Sequence, residues 1–201
     1  MCWNQKVSMN TFLFSMFAAS LALKNGVVST PDGLFYIFFS SMQLVEYFLW
    51  KNLHNKQGNE FWSKVGLLFI ALQPVVSLMA TKDHSKRNIG LGLYLVGLTI
   101  VLTVVKPLGT IDFSSHRAPN GHLAWNWNTF PTAVVALYVM FQLSSSFMNK
   151  DYMWFGITMV ITALIYRTYI QSGTWGSMWC WISAILGVYL LIKVFRNSIC
   201  L

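Results

Sequence analysis

Seven apolar stretches, separated by short polar breaks, run the length of the chain. They cover residues 7–23, 33–50, 62–80, 89–105, 130–148, 152–170 and 176–195. Each approaches the roughly 20 residues that an α-helix needs to cross about 30 Å of hydrocarbon. Lys24-Asn25-Gly26 stops the first stretch, and Pro31-Asp32-Gly33 reads as a turn before the second. Only the connection of residues 106–129 is long, and it holds His116 and His122, two of the four histidines. Loops beyond about 12–15 residues in a compact domain often carry function.

Composition changes the setting. Of 201 residues, 55% are hydrophobic and 10% charged, against about 25% charged in ordinary soluble domains. The expectation is an all-α integral membrane protein, a seven-transmembrane-helix bundle forming a single domain over residues 1–201, with the lipid bilayer as its partner. The first stretch, with Lys6 ahead of it and Ala19, Ser20 and Ala22 within it, has signal-peptide features; it is read as a retained helix. The net charge of +8 is spread over every loop. No run of like charges marks a nucleic-acid-binding tail, so the basic residues read as neighbours of anionic headgroups.

Seven spans would put the termini on opposite faces. The N-terminal face then carries Lys6, Lys51, Lys56, Lys64, Lys106, Arg117 and Arg167. The other carries Lys24, Lys82, Lys86, Arg87, Lys150, Lys193 and Arg196. The positive-inside rule needs an asymmetry, and this even division sets no orientation. Eight of the nine tryptophans fall towards the N-terminal face, and only Trp154 lies towards the other. An interfacial belt would decorate both faces; a one-sided excess also fits a lined cavity or a packed cap.

Tracing the helices up and down brings Cys2, Gln43, Glu46, His122 and Cys180 towards the N-terminal face, with Trp125 in the long loop. Gln73, next to Pro74, lies midway along the third span. Glu46 is the acid well inside a span, where an ionisable group usually meets a partner or a water-filled cavity; it is expected to face the bundle interior. Cys, His and Glu are competent transition-metal ligands, which makes Cys2, Glu46, His116, His122 and Cys180 metal candidates. Yet HxxxH and HExxH are absent, and the sequence specifies neither metal nor cofactor. Cys2 and Cys180 are alternatively a disulfide pair in an oxidising compartment, or part of a Cys–His nucleophile. Lys193 on the last span does not read as a retinal site, because the third span has no acid for a counter-ion. Gly90, Gly92 and Gly97 read as positions of close helix approach. The loop's Trp125-Asn126-Trp127-Asn128 run is expected to fold back as a cap over the N-terminal face.

Met1-Cys2-Trp3-Asn4, Ala71-Leu72-Gln73-Pro74, Gly121-His122-Leu123-Ala124-Trp125 and Trp179-Cys180-Trp181 together carry a likeness. The chain resembles an uncharacterised family of multi-pass membrane proteins that open Met-Cys-Trp, found in bacteria, some eukaryotes and large DNA viruses. The longer Met-Cys-Trp-Asn-Gln start is most similar to the large-DNA-virus branch. The resemblance adds weight to Cys2, Gln73, His122 and Cys180 and supplies no activity. Bacterial members have cysteines in the long loop; this chain has none there, so no loop disulfide is implied.

Three functions fit these residues. The first is a small-solute or ion transporter, channel or ligand-binding protein with a polar cavity near the N-terminal face. Its dimensions match three-plus-one-plus-three carriers, and Asn10-Thr11-Phe12 is echoed by Asn128-Thr129-Phe130. The second is a structural or scaffold protein of a viral or cellular membrane. The third is a membrane-embedded metal- or thiol-dependent enzyme.

Overall fold

Side-chain caps open five of the helices. Asn4 Oδ1 accepts the Val7 N–H at 3.0 Å and starts α1 (Gln5–Lys24). Ser29 starts α2 (Thr30–Lys51), Asn55 starts α3 (Lys56–Met79), Asp83 starts α4 (His84–Ile100) and Asp151 starts α6 (Tyr152–Tyr169). Each oxygen satisfies a first-turn N–H that has no partner inside its helix. The remaining helices are α5 (Thr132–Met148) and α7 (Trp179–Ile199). The computed structural model describes residues 3–199, and within them a two-stranded hairpin is the only β-structure.

Several boundaries differ from the hydropathy reading, for capping reasons. Pro31-Asp32-Gly33 is not a turn: it is the first turn of α2, where proline's missing N–H costs nothing. Helices α3 and α4 begin six and five residues before the apolar runs at residues 62 and 89, since Asn55 and Asp83 cap polar first turns. Gly26, at φ +64°, closes α1 as expected. The Val27 N–H reaches the Ala22 carbonyl at 3.1 Å and the Gly26 N–H reaches that of Leu23 at 3.1 Å, a Schellman arrangement that favours glycine.

Helix α1 packs against α2 and α7, α2 against α3, α3 against α4 and α5, and α5 against α6. The buried face of α1 consists of small residues, Ser8, Thr11, Ser15, Ala18, Ala19 and Ala22, at helical spacing. Such a stripe lets backbones come close without relying on hydrophobic bulk. At its centre Ser15 Oγ and Ser183 Oγ of α7 are 2.9 Å apart, and Ser183 Oγ donates to Ser40 Oγ of α2 at 2.9 Å.

Helix α4 is the least enclosed: Gly90 and Tyr94 are its buried residues. A Cβ at Gly90 would lie 2.8 Å from Leu78 Cδ2, so this glycine does allow close approach. Gly92 and Gly97 have nothing within 4 Å of a Cβ position, so the expectation of close packing fails for both. Tyr94 Oη donates to the Ala71 carbonyl at 2.7 Å, tying α4 to α3 just before Pro74. Beyond Ile100 the helix widens into a π-helical turn, Val101–Val105.

Among the described residues, four helices are long and apolar enough to cross a membrane: Gln5–Lys24, Lys56–Met79, His84–Val105 and Gly176–Ser198. Helix α5 is apolar but shorter.

Candidate functional site

The long loop is a folded cap. Strands β1 (Ser115–Arg117) and β2 (Leu123–Trp125) pair antiparallel, with His116 opposite Ala124. Asn59 in the first turn of α3 binds both backbone groups of Ser115, at 2.8 Å each. Trp127 Nε1 donates to Ser115 Oγ at 3.1 Å. Trp125 and Trp127 stack with ring centres 4.8 Å apart, and both are fully buried. A Cβ at Gly176 would stand 2.5 Å from Trp125 Cε3 and 2.7 Å from Asn128 Nδ2, so the start of α7 is seated against the cap. The His122 ring lies 6.3 Å from that of Trp3 and 5.8 Å from that of Tyr169. Trp3, the loop and the end of α6 therefore meet at one end of the bundle.

Gln43, Glu46 and Cys180 come together beneath this end, all with no solvent exposure. The amide orientation of Gln43 that satisfies both neighbours has Nε2 donating to Glu46 Oε2 at 3.1 Å and Oε1 accepting the Cys180 backbone N–H at 3.3 Å. Glu46 faces inward, but Gln43 of its own helix supplies this contact, and α7 is reached one bond further on. Cys180 is disulfide-bonded, so its sulfur is neither a thiolate ligand nor a nucleophile. Cys2 and Cys200 lie outside the described residues. Among the described residues no three His, Cys, Asp or Glu side chains assemble a metal site; His116 is exposed on β1.

Gln73 belongs to a different set. Its Oε1 accepts from Tyr138 Oη at 2.7 Å and from Gln142 Nε2 at 3.2 Å. Beside Gln142 a void of about 20 Å³ is lined by Thr158, Thr162 and Trp179, enough for one water.

A larger cavity of about 340 Å³ opens between α3, α4 and α5. Leu67, Ile70, Leu98, Leu102, Val134 and Phe141 are among its walls, and Gly97 lines it. At the cap end it is lined by Asn128, Phe130, Trp175 and Trp179. Neither cavity is lined by Gln43 or Glu46. Asn128 Nδ2 and Trp179 Nε1 are buried without hydrogen-bond partners. Lys106, just past the π-helical turn, puts Nζ 5.1 Å from the centre of the Phe130 ring and donates to Thr129 Oγ1 at 2.6 Å. Burial holds its ammonium below the usual lysine range, opposed by nearby Asp112.

The sequence reading did not find Asn59, Ser115, Tyr138 or Gln142, and it took Lys106 only for a basic residue of the N-terminal face. Asn55-Lys56-Gln57-Gly58-Asn59 ahead of an apolar run signals a capped helix start, but nothing local links Asn59 to a residue 56 positions on. Comparison with protein-family models, with curated proteins and with solved structures gives no match.

Proposed function

We propose that this is a multi-pass membrane protein whose seven helices all cross the bilayer, and that it binds an apolar small molecule drawn sideways from the membrane into the pocket between α3, α4 and α5. The four long apolar helices support the membrane setting. Helices α2, α5 and α6 pack into one bundle with them, which supports the full count. The cavity of about 340 Å³ carries the reading: it lies in the size range of small-molecule sites and, as such sites often do, between helices of a bundle. Its outer wall is α4, whose Ile89, Leu93, Val96 and Ile100 are exposed. In a bilayer these positions meet acyl chains, so an apolar ligand reaches the pocket past α4 without crossing water. The disulfide at Cys180 makes thiol catalysis the less favoured alternative.

The test uses protein in nanodiscs and a neutral hydrocarbon bearing a photoreactive diazirine. Crosslinks should concentrate on Leu98, Val134 and their neighbours. Gly97→Phe, built into open space, should remove them while leaving those on the outer surface. Labelling spread evenly over lipid-facing positions and unchanged by Gly97→Phe would overturn the reading.

A further inference from the structure

Two residues lining the pocket near the cap carry a buried nitrogen without a partner. Along its walls Tyr94 Oη and Tyr138 Oη are already engaged, by the Ala71 carbonyl and by Gln73 Oε1. Asn128 Nδ2 and Trp179 Nε1 have no acceptor, although Asn128 is 6% and Trp179 4% exposed; Trp179 lines both this pocket and the smaller void beside Gln142. Both atoms are N–H donors, and a buried donor left unpaired is costly. A ligand that pairs these two nitrogens brings acceptors.

Charge narrows the choice. Lys106 Nζ donates to the Thr129 carbonyl at 3.1 Å and to Thr129 Oγ1 at 2.6 Å, which holds the ammonium beside the residue that follows Asn128. An ammonium has a further N–H to give. Below it lies the ring of Phe130, itself part of the pocket wall. Asp112 is the acid whose charge reaches Lys106, and it is itself hydrogen-bonded, its Oδ2 accepting from Asn126 Nδ2 at 2.9 Å.

Resting on the binding role given above, we infer that the occupant is an amphiphile with an acidic head, a phosphate or carboxylate on a hydrocarbon chain. Its head sits at Lys106, Asn128 and Trp179, and its chain runs down the pocket beside Gly97 and Leu98. An acidic head offers several acceptors to several donors and charge-assisted bonds to the lysine. A quaternary ammonium head offers neither.

The experiment uses the full chain in zwitterionic nanodiscs and diazirine probes of one chain length with four heads: phosphate monoester, carboxylate, alcohol and trimethylammonium. Either acid should label the pocket roughly tenfold more than the alcohol, the gain expected of a charge-assisted hydrogen bond, and trimethylammonium should label least. The stronger acid identifies the head. Lys106→Gln should bring acid labelling down to the level of the alcohol while labelling by the neutral hydrocarbon stays as in the wild type, which also reports that the fold survives. If the hydrocarbon labels the pocket but the acids gain nothing over the alcohol, this inference falls and the binding role stands. If the hydrocarbon fails as well, both fall.

Discussion

Asn59 holds Ser115 by both of its backbone groups: Nδ2 donates to the Ser115 carbonyl and Oδ1 accepts the Ser115 N–H, each at 2.8 Å. One side chain thus does for β1 what a neighbouring strand would do, and fastens the cap to α3. Asn59→Leu leaves both backbone groups buried and unpaired, a loss of roughly 2–4 kcal/mol. The melting temperature in detergent should fall clearly; an unchanged value would mean that the cap is held elsewhere.

Gly176, in the 3-10 turn that leads into α7, lies tight against the cap. Gly176→Ala would put a methyl group 2.5 Å from Trp125 Cε3, and the overlap should cost about 1–3 kcal/mol. Gly156→Ala, in α6 with nothing within 4 Å, should be neutral or stabilising by up to about 1 kcal/mol. Thermal melts of the two variants side by side decide this, and equal effects would refute the tight seat of Trp125.

The disulfide at Cys180 predicts a redox-sensitive stability. Reduction, or Cys180→Ser, should cost about 2–4 kcal/mol. Peptide mapping without reductant identifies the partner, for which the sequence offers Cys2 as one of several readings. Because disulfides persist in oxidising compartments, the end of the bundle carrying the cap is expected to face one. Finding the residue 180 thiol reduced in protein isolated with alkylating agent present would contradict this.

Asp83 caps α4 through Oδ1, which accepts from Ser85 N–H at 3.0 Å and Lys86 N–H at 3.2 Å. The Lys86 backbone N–H is the main cause holding its carboxyl below the ordinary carboxylate range. A lowered folded-state pKa gives stability that is present above the unfolded value of about 3.9 and lost as pH falls through the folded one. Amide exchange at Ser85 and Lys86 should therefore accelerate on acidification below about pH 4. Asp83→Asn, also a good cap, should exchange at a rate that does not respond to pH beyond the intrinsic chemistry.

The apolar runs made every helix legible, because length and hydropathy are properties of consecutive residues. Glu46 and Gln43 were legible as a pair because they share one face of one helix. The pocket was not. Leu98, Val101 and Val134 line it, yet they read like any lipid-facing residue, and Gly97 looked like a packing glycine. Whether such a position meets a helix, lipid or empty space depends on how far α4 stands from α5, which no local pattern encodes. Asn59 escaped for the same reason: its partner is set by the path of the loop.

The serine clasp joining α1, α2 and α7 has a consequence for biosynthesis. Ser15 and Ser183 are 168 positions apart, and at about 5–20 residues per second translation takes roughly ten to thirty seconds to cover that interval. Through that time the Ser15 hydroxyl of the first helix waits without its α7 partner, and a ribosome that stops before α7 leaves it so. The contact surface of α1 with α7 is therefore completed only when the last helix is made, and a truncated chain leaves Ser15 and Ser40 without the Ser183 hydroxyl that joins them.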